Sequence, residues 1–229
     1  MKKFFKIGII IIIVMSLFIL TGCRDDSVEL LNKKIDSEMD YIENEIFRIV
    51  KKYMSNQYLS ENKELDWGLI KEDLSSLNES YSVLITDFIQ KGFEKGDVLR
   101  FEEGLNNVNL RLEEKNDIQF LLALSDLYSL IPECEYKYFG YNSEVSIRTI
   151  ANYNLYSIIS CMQGDFDKAN QFCLDAEQEY INLTKDTEYL KDNSYYVNRI
   201  YVVLQEYKIS LNENNIELAI IKYLNTLGI

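Results

Sequence analysis

Apolar residues recur every three or four positions along almost the whole chain, a period that fits helices and little else. Val28, Leu31, Ile35, Met39, Ile42, Ile46, Ile49 and Tyr53 fall on one helical stripe. Trp67, Ile70, Leu74, Leu77, Tyr81, Leu84 and Phe88 form a second, opened by Asp66 as N-cap. Gly96-Asp97 reads as the break after it, and Val98, Phe101, Leu105, Val108 and Leu112 mark a third helix. A fourth is predicted over 117–131, ending at Pro132, whose nitrogen cannot continue the hydrogen-bond ladder. Residues 133–142 then read as an irregular aromatic segment, followed by helices over about 143–163, 166–185, 194–211 and 216–227. Strict period-two alternation is absent over any useful length. One proline and nine glycines in 229 residues also argue against a turn-rich β protein. The expectation is therefore all-α: an irregular bundle or set of stacked hairpins of about seven to eight helices. No Pro/Ser linker divides it, so residues 28–229 read as one domain. Ile42, Ile46, Leu74, Leu77, Leu155 and Ile158 are expected in its core.

The N-terminus has a different grammar. Met1-Lys2-Lys3-Phe4-Phe5-Lys6 is a basic head, and residues 7–20 are apolar apart from Gly8 and Ser16. That run falls short of the roughly 20 residues a membrane-spanning helix needs and suits the core of a secretory signal. It ends in Leu20-Thr21-Gly22-Cys23, which resembles the lipobox of bacterial prolipoproteins. The resemblance implies that residues 1–22 are a cleaved signal peptide and that Cys23 takes a diacylglyceryl group and becomes the new N-terminus. Residues 23–27 would then be the lipidated cysteine and a short tether, holding the domain on the outer face of the cell membrane. A signal anchor with an incidental cysteine is the alternative. Cleavage would remove Lys2, Lys3 and Lys6 from the 24 basic residues, leaving 21 against 37 acidic ones and a net charge of −16. Such a surface repels nucleic acid and anionic headgroups, so attachment falls to the lipid on Cys23.

No histidine is present in the chain. Ser/His/Asp triads, Cys/His dyads, His-based zinc motifs and the Glu-x-x-His pairs of di-iron bundles are thereby excluded. Gly92, Gly96 and Gly104 match neither nucleotide-binding glycine pattern, and nothing in the sequence asks for a cofactor or metal. Glu29, Asp36, Asp40 and Glu43 share one face of the first helix and read either as a cation-collecting stripe or as a solvated face. The second reading is favoured, because hard cations want six to eight converging oxygens. Cys134, Cys161 and Cys173 are odd in number and lack a CxxC, and the neighbours of Cys161 and Cys173 are largely apolar, so free, buried, structural thiols are expected.

Seventeen tyrosines offer the better place for a ligand. Tyr136, Tyr138, Tyr141, Tyr153 and Tyr156 gather around the segment after Pro132 and form a candidate groove for a sugar, a peptide or a cation. A packed core with a wet rim is the competing reading. Asn116-Asp117-Ile118, Gly164-Asp165-Phe166 and Asn214-Asn215-Ile216 recur at intervals of 48 and 50, each reading as turn, cap and helix start. Gly164-Asp165-Phe166-Asp167-Lys168-Ala169 resembles the turn between paired helices in tetratricopeptide-type repeats, which implies one tight hairpin there. Two functional classes remain. One is a membrane-tethered binding or scaffold module for a membrane-proximal protein, peptide or small ligand. The other is a cell-wall or extracellular enzyme working through a carboxylate pair. The missing histidine favours the first.

Overall fold

The computed structural model describes the side chains of residues 28–60 and 66–227. The expected signal segment 1–22, Cys23 and the tether through Ser27 fall among residues whose side chains lie outside the described ones. The fold is all-α: α1 (Lys2–Met54), α2 (Trp67–Lys91), α3 (Lys95–Glu113), α4 (Asp117–Phe139), α5 (Ser143–Met162), α6 (Phe166–Leu183), α7 (Thr187–Asn212) and α8 (Ile216–Thr226). One π-helical turn, Ser55–Leu59, follows α1, and no strand occurs among the described residues.

Asp and Asn side chains start most of these helices, each accepting from a backbone N–H that would otherwise lack a partner. Asp66 accepts from Gly68 and Leu69, Asn116 from Gln119, Asn142 from Val145, Asp165 from Lys168, Asp186 from Tyr189 and Asn215 from Leu218. The recurring triplets mark the turns inside three successive hairpins, α3/α4, α5/α6 and α7/α8. In each, a left-handed residue precedes the cap: Lys115 (φ 51°), Gly164 (φ 77°) and Asn214 (φ 50°). In the first triplet the cap is Asn116 and not Asp117, which is the first helical residue. Aligned on the caps, the spacing is 49 and 50 residues.

Three boundaries differ from the sequence expectation. The break after α2 is Gly92, whose left-handed φ of 87° directs its N–H at Phe88 and Ile89, while Gly96 and Asp97 lie in the first turn of α3. α7 begins at Thr187, and a non-helical Asn193 (φ −117°, ψ 15°) separates its first turns from the stretch predicted from Ser194. Most consequentially, α4 continues through Pro132 to Phe139. Proline forfeits the bond to the Tyr128 carbonyl, but the turns beyond it make contacts that offset the loss. Glu135 pairs with Arg148, and Tyr138 stacks on Phe93 with ring centroids 3.6 Å apart. Residues 133–139 are therefore helical.

The main core runs from α1 through α4, α5 and α8. A smaller cluster of Ile150, Ala176, Leu183, Val197, Ile200 and Leu204 lies between α5, α6 and α7. Ile42, Ile46, Leu74, Leu77, Leu155 and Ile158 are all buried. Truncating any one of them to alanine is expected to cost about 2–5 kcal/mol, read from urea midpoints at constant m-value. A set of unchanged midpoints would contradict this packing.

Candidate functional site

Once α4 continues past Pro132, four of the five candidate tyrosines come together. Tyr136 projects from the end of α4, Tyr141 from the α4–α5 connection, and Tyr153 and Tyr156 from one face of α5, three residues apart. They line a groove of about 420 Å³ between α4, α5 and α6, with Glu133 and Glu179 at its rim and no lysine or arginine in its lining. Tyr136 and Tyr141 meet edge to face at 6.5 Å and are 59% and 51% exposed, so two aromatic surfaces face solvent.

Two of the four hydroxyls are tied down. Tyr156 donates to Asp126 at 2.5 Å, and its ring stacks on Phe172 at 5.3 Å. Tyr141 lies 2.5 Å from Ser146 Oγ and donates to Glu179 at 3.2 Å, while Ser146 donates to the same carboxylate oxygen at 2.6 Å. Burial raises the pKa of Tyr141, Tyr153 and Tyr156, and neighbouring carboxylates add to it at all three. These groups stay protonated at neutral pH and offer neutral rings under a negative rim.

Tyr138 is not part of this groove. Its ring lies on Phe93, and its hydroxyl donates to Asp97 at 2.5 Å and accepts from the Glu94 N–H at 2.7 Å. It closes the far side of the α3/α4 hairpin.

The acidic stripe on α1 is solvated, as expected, at Glu29, Asp36 and Asp40, and departs from that reading at Glu43. Glu29 pairs with Lys33 at 2.7 Å on an exposed turn. Asp36 and Asp40, 60% and 59% exposed, join the largely buried Glu43 and Glu135 of α4 around the guanidinium of Arg148 in α5. Arg148 is only 2% exposed. Its Nε reaches Glu43 at 3.2 Å, Nη1 reaches Glu135, Nη2 reaches Asp40, and Asp36 stands 3.8 Å away. Burial disfavours the charged arginine, but the carboxylates outweigh it, Glu135 and Glu43 foremost, and raise its pKa further. One sequence signal pointed here: Arg148 is in helical register with Val145, Asn152 and Leu155 on the buried face of α5.

Beside this network, α1, α5, α7 and the end of α8 enclose a cleft of about 230 Å³ with Phe47, Ile147, Ile200 and Leu204 on its walls. Glu43 and Glu144 both line it, a combination of the kind a carboxylate-pair enzyme would need. Glu43 is committed elsewhere, however. Its Oε1 accepts from Tyr128 at 2.5 Å and its Oε2 from Arg148. Burial raises the Glu43 pKa, and these two partners pull it back.

Cys134, Cys161 and Cys173 are free and buried, with thiols pushed up by burial to about 12, 11 and 12. They carry no thiolate at neutral pH. Among the described residues no group of three or more Cys, Asp or Glu is placed to hold a metal ion, and no helix is long and apolar enough to cross a membrane. Comparison with family models, curated proteins and solved structures returned no match.

Proposed function

We propose that this chain is a membrane-anchored lipoprotein whose acidic helical domain is a binding module, and that its tyrosine groove takes a basic, extended segment of a membrane-proximal partner. The observation that carries this reading is the convergence of Tyr136, Tyr141, Tyr153 and Tyr156 around one groove with a carboxylate rim and no cationic lining residue. Ring faces attract ammonium and guanidinium groups, and rim carboxylates select the same sign of charge. The enzyme reading is weaker. A general base needs a lone pair directed at substrate, and both oxygens of Glu43 are already occupied. The anchoring half rests on Leu20-Thr21-Gly22-Cys23.

The test holds the full chain in detergent micelles on a sensor surface and compares a lysine-rich peptide with a glutamate-rich one of equal length. The lysine-rich peptide should bind, and Tyr136→Ala with Tyr141→Ala should weaken it about tenfold, the ~1.4 kcal/mol expected of two ring–cation contacts. Tyr136 is 59% exposed, so Tyr136→Ala alone should leave the thermal midpoint unchanged and still weaken the lysine-rich peptide severalfold, while Tyr141→Ala also gives up the bonds to Ser146 and Glu179. Equal retention of the two peptides, or binding untouched by the double substitution, rejects the groove.

A further inference from the structure

We propose that the outer face of the α6/α7 hairpin is a dimer interface, and that what covers it is the same face of a second copy of this chain. The face lies away from the tyrosine groove and does not depend on it, because Glu179 at the groove rim and Ile181 on this face differ by about 200° around α6.

The surface is apolar and continuous. Leu174 and Ile181 on α6, and Tyr195, Val202 and Ile209 on α7, are 46–82% exposed. Each set recurs every seven residues, an interval that returns a side chain to one face after two helical turns. Glu177 ties the two stripes together, accepting from Gln205 Nε2 and Lys208 Nζ, both at 2.6 Å. Leu174 and Ile181 stand three residues before and four after Glu177, and Val202 and Ile209 stand likewise around Gln205. Four apolar side chains therefore surround that bridge. Tyr201, half exposed, extends the surface, its ring 5.4 Å from that of Tyr180. Six large side chains, each showing about half of ~200 Å², present roughly 600 Å² of apolar surface. That is the upper end of what a monomer leaves bare.

Charge decides the occupant. Charged residues make up 27% of the chain and its net charge is −13, so two copies repel in most orientations. This face is the exception. Gln178, Asn198 and Gln205 fill the positions between the apolar residues, and Glu177 and Lys208 neutralise each other. Interface centres are depleted of charge in the same way. A basic partner would gain nothing here, and a bilayer would have to bury the Glu177–Lys208 pair.

The face is also complementary to itself. When two α7 helices cross antiparallel about a two-fold axis at Val202, Tyr195 of one copy meets Ile209 of the other, each seven residues from the axis. The same crossing brings Arg199 to within one residue of Glu206 of the other copy, an acid that Lys222 of its own chain also holds at 2.8 Å. A parallel crossing would instead set Glu206 against Glu206. Two such faces bury roughly 1,200 Å² of apolar surface, the lower bound of a specific dimer, and set α6 and α7 of both copies together as four helices.

The experiment follows sedimentation of the full chain in excess detergent micelles over a wide range of concentration. The native chain should sediment as a dimer that dissociates on dilution. Val202→Asp should weaken it at least about tenfold, because it faces two carboxylates across the axis. Val202 and Ile209 are exposed, so this variant and Ile209→Glu should keep the native helical signal. Under copper–phenanthroline oxidation, Val202→Cys should form a disulfide-linked dimer well above the native chain, whose described cysteines are buried. Val83→Cys on α2, comparably exposed, should stay at the native level. A chain that remains monomeric at every concentration, a dimer indifferent to both charge substitutions, or equal cross-linking from the two cysteines would overturn the proposal.

Discussion

Arg148→Met is expected to destabilise the domain by about 3–5 kcal/mol, because it strands Glu43 and Glu135, carboxylates that cannot return to water. Glu135 is 4% exposed, and Glu43 packs under Tyr128. Both pair with one guanidinium, whose three nitrogens reach Glu43, Glu135 and Asp40. Arg148→Lys should recover only part of the loss, since a single ammonium cannot serve Glu43, Glu135 and Asp40 in that fork. Combining Arg148→Met with Glu135→Gln should be less harmful than Arg148→Met alone, a coupling that a double-mutant cycle measures directly. The variant should also respond to acid. Burial already raises the Glu43 pKa, and without Arg148 one of the two partners that oppose it is lost, so folding takes up a proton there more readily. The penalty is full above that raised value and is relieved as pH falls through it toward the ordinary carboxylate range. Urea midpoints of Arg148→Met at neutral and mildly acid pH test this. A loss under about 1 kcal/mol at neutral pH would show that the carboxylates find other partners.

The reason this network was hidden in the sequence is specific. Period analysis assigns each side chain to a face of its own helix, and Asp36, Asp40 and Glu43 do lie to one side of the apolar stripe of α1, about 100° round from it. What period cannot supply is which helix covers the polar face, and here α5 lies more than 100 residues away in sequence. Helix identity, the caps and the six core positions were legible because each is decided within a turn or two of chain.

The error at Pro132 was also local, and it propagated. Residues 136 and 138 differ by about 200° around a helix at 3.6 residues per turn, so a continuous α4 must send Tyr136 and Tyr138 to opposite sides. Treating 133–142 as irregular erased that constraint and left five tyrosines in one group. The structure keeps Tyr136, Tyr141, Tyr153 and Tyr156 together and gives Tyr138 to the Phe93 stack. A helix through proline requires tertiary contacts that exceed its local cost, and those contacts are with Arg148 of α5 and Phe93 before α3.

Cys23→Ser should abolish fatty-acid labelling of the protein entirely and leave a precursor that keeps residues 1–22. A chain of this composition would have few ways to stay at a membrane. The apolar run 7–20 is shorter than the ~20 residues that span a bilayer. A processed domain with a net charge of −16 gains nothing from anionic headgroups. Acyl chains do better: at about 0.8 kcal/mol per buried CH₂, two chains on one cysteine anchor a protein stably where one would not. Serine cannot form the thioether, so modification stops, and cleavage that depends on it stops too. Val28, expected to open the core stripe of α1, is 44% exposed, so residues 24–30 would separate that anchor from Leu31, the first α1 residue packed on the core, at most about 25 Å of extended chain. A module held that close reaches partners at the bilayer surface and not beyond, so a long Gly/Ser insertion after Ser27 should weaken partner engagement in cells while labelling and folding persist. Metabolic labelling with mass measurement of both variants separates the two ideas. Unchanged mass and labelling in Cys23→Ser removes the anchor, while full partner engagement with the insertion removes only the need for proximity.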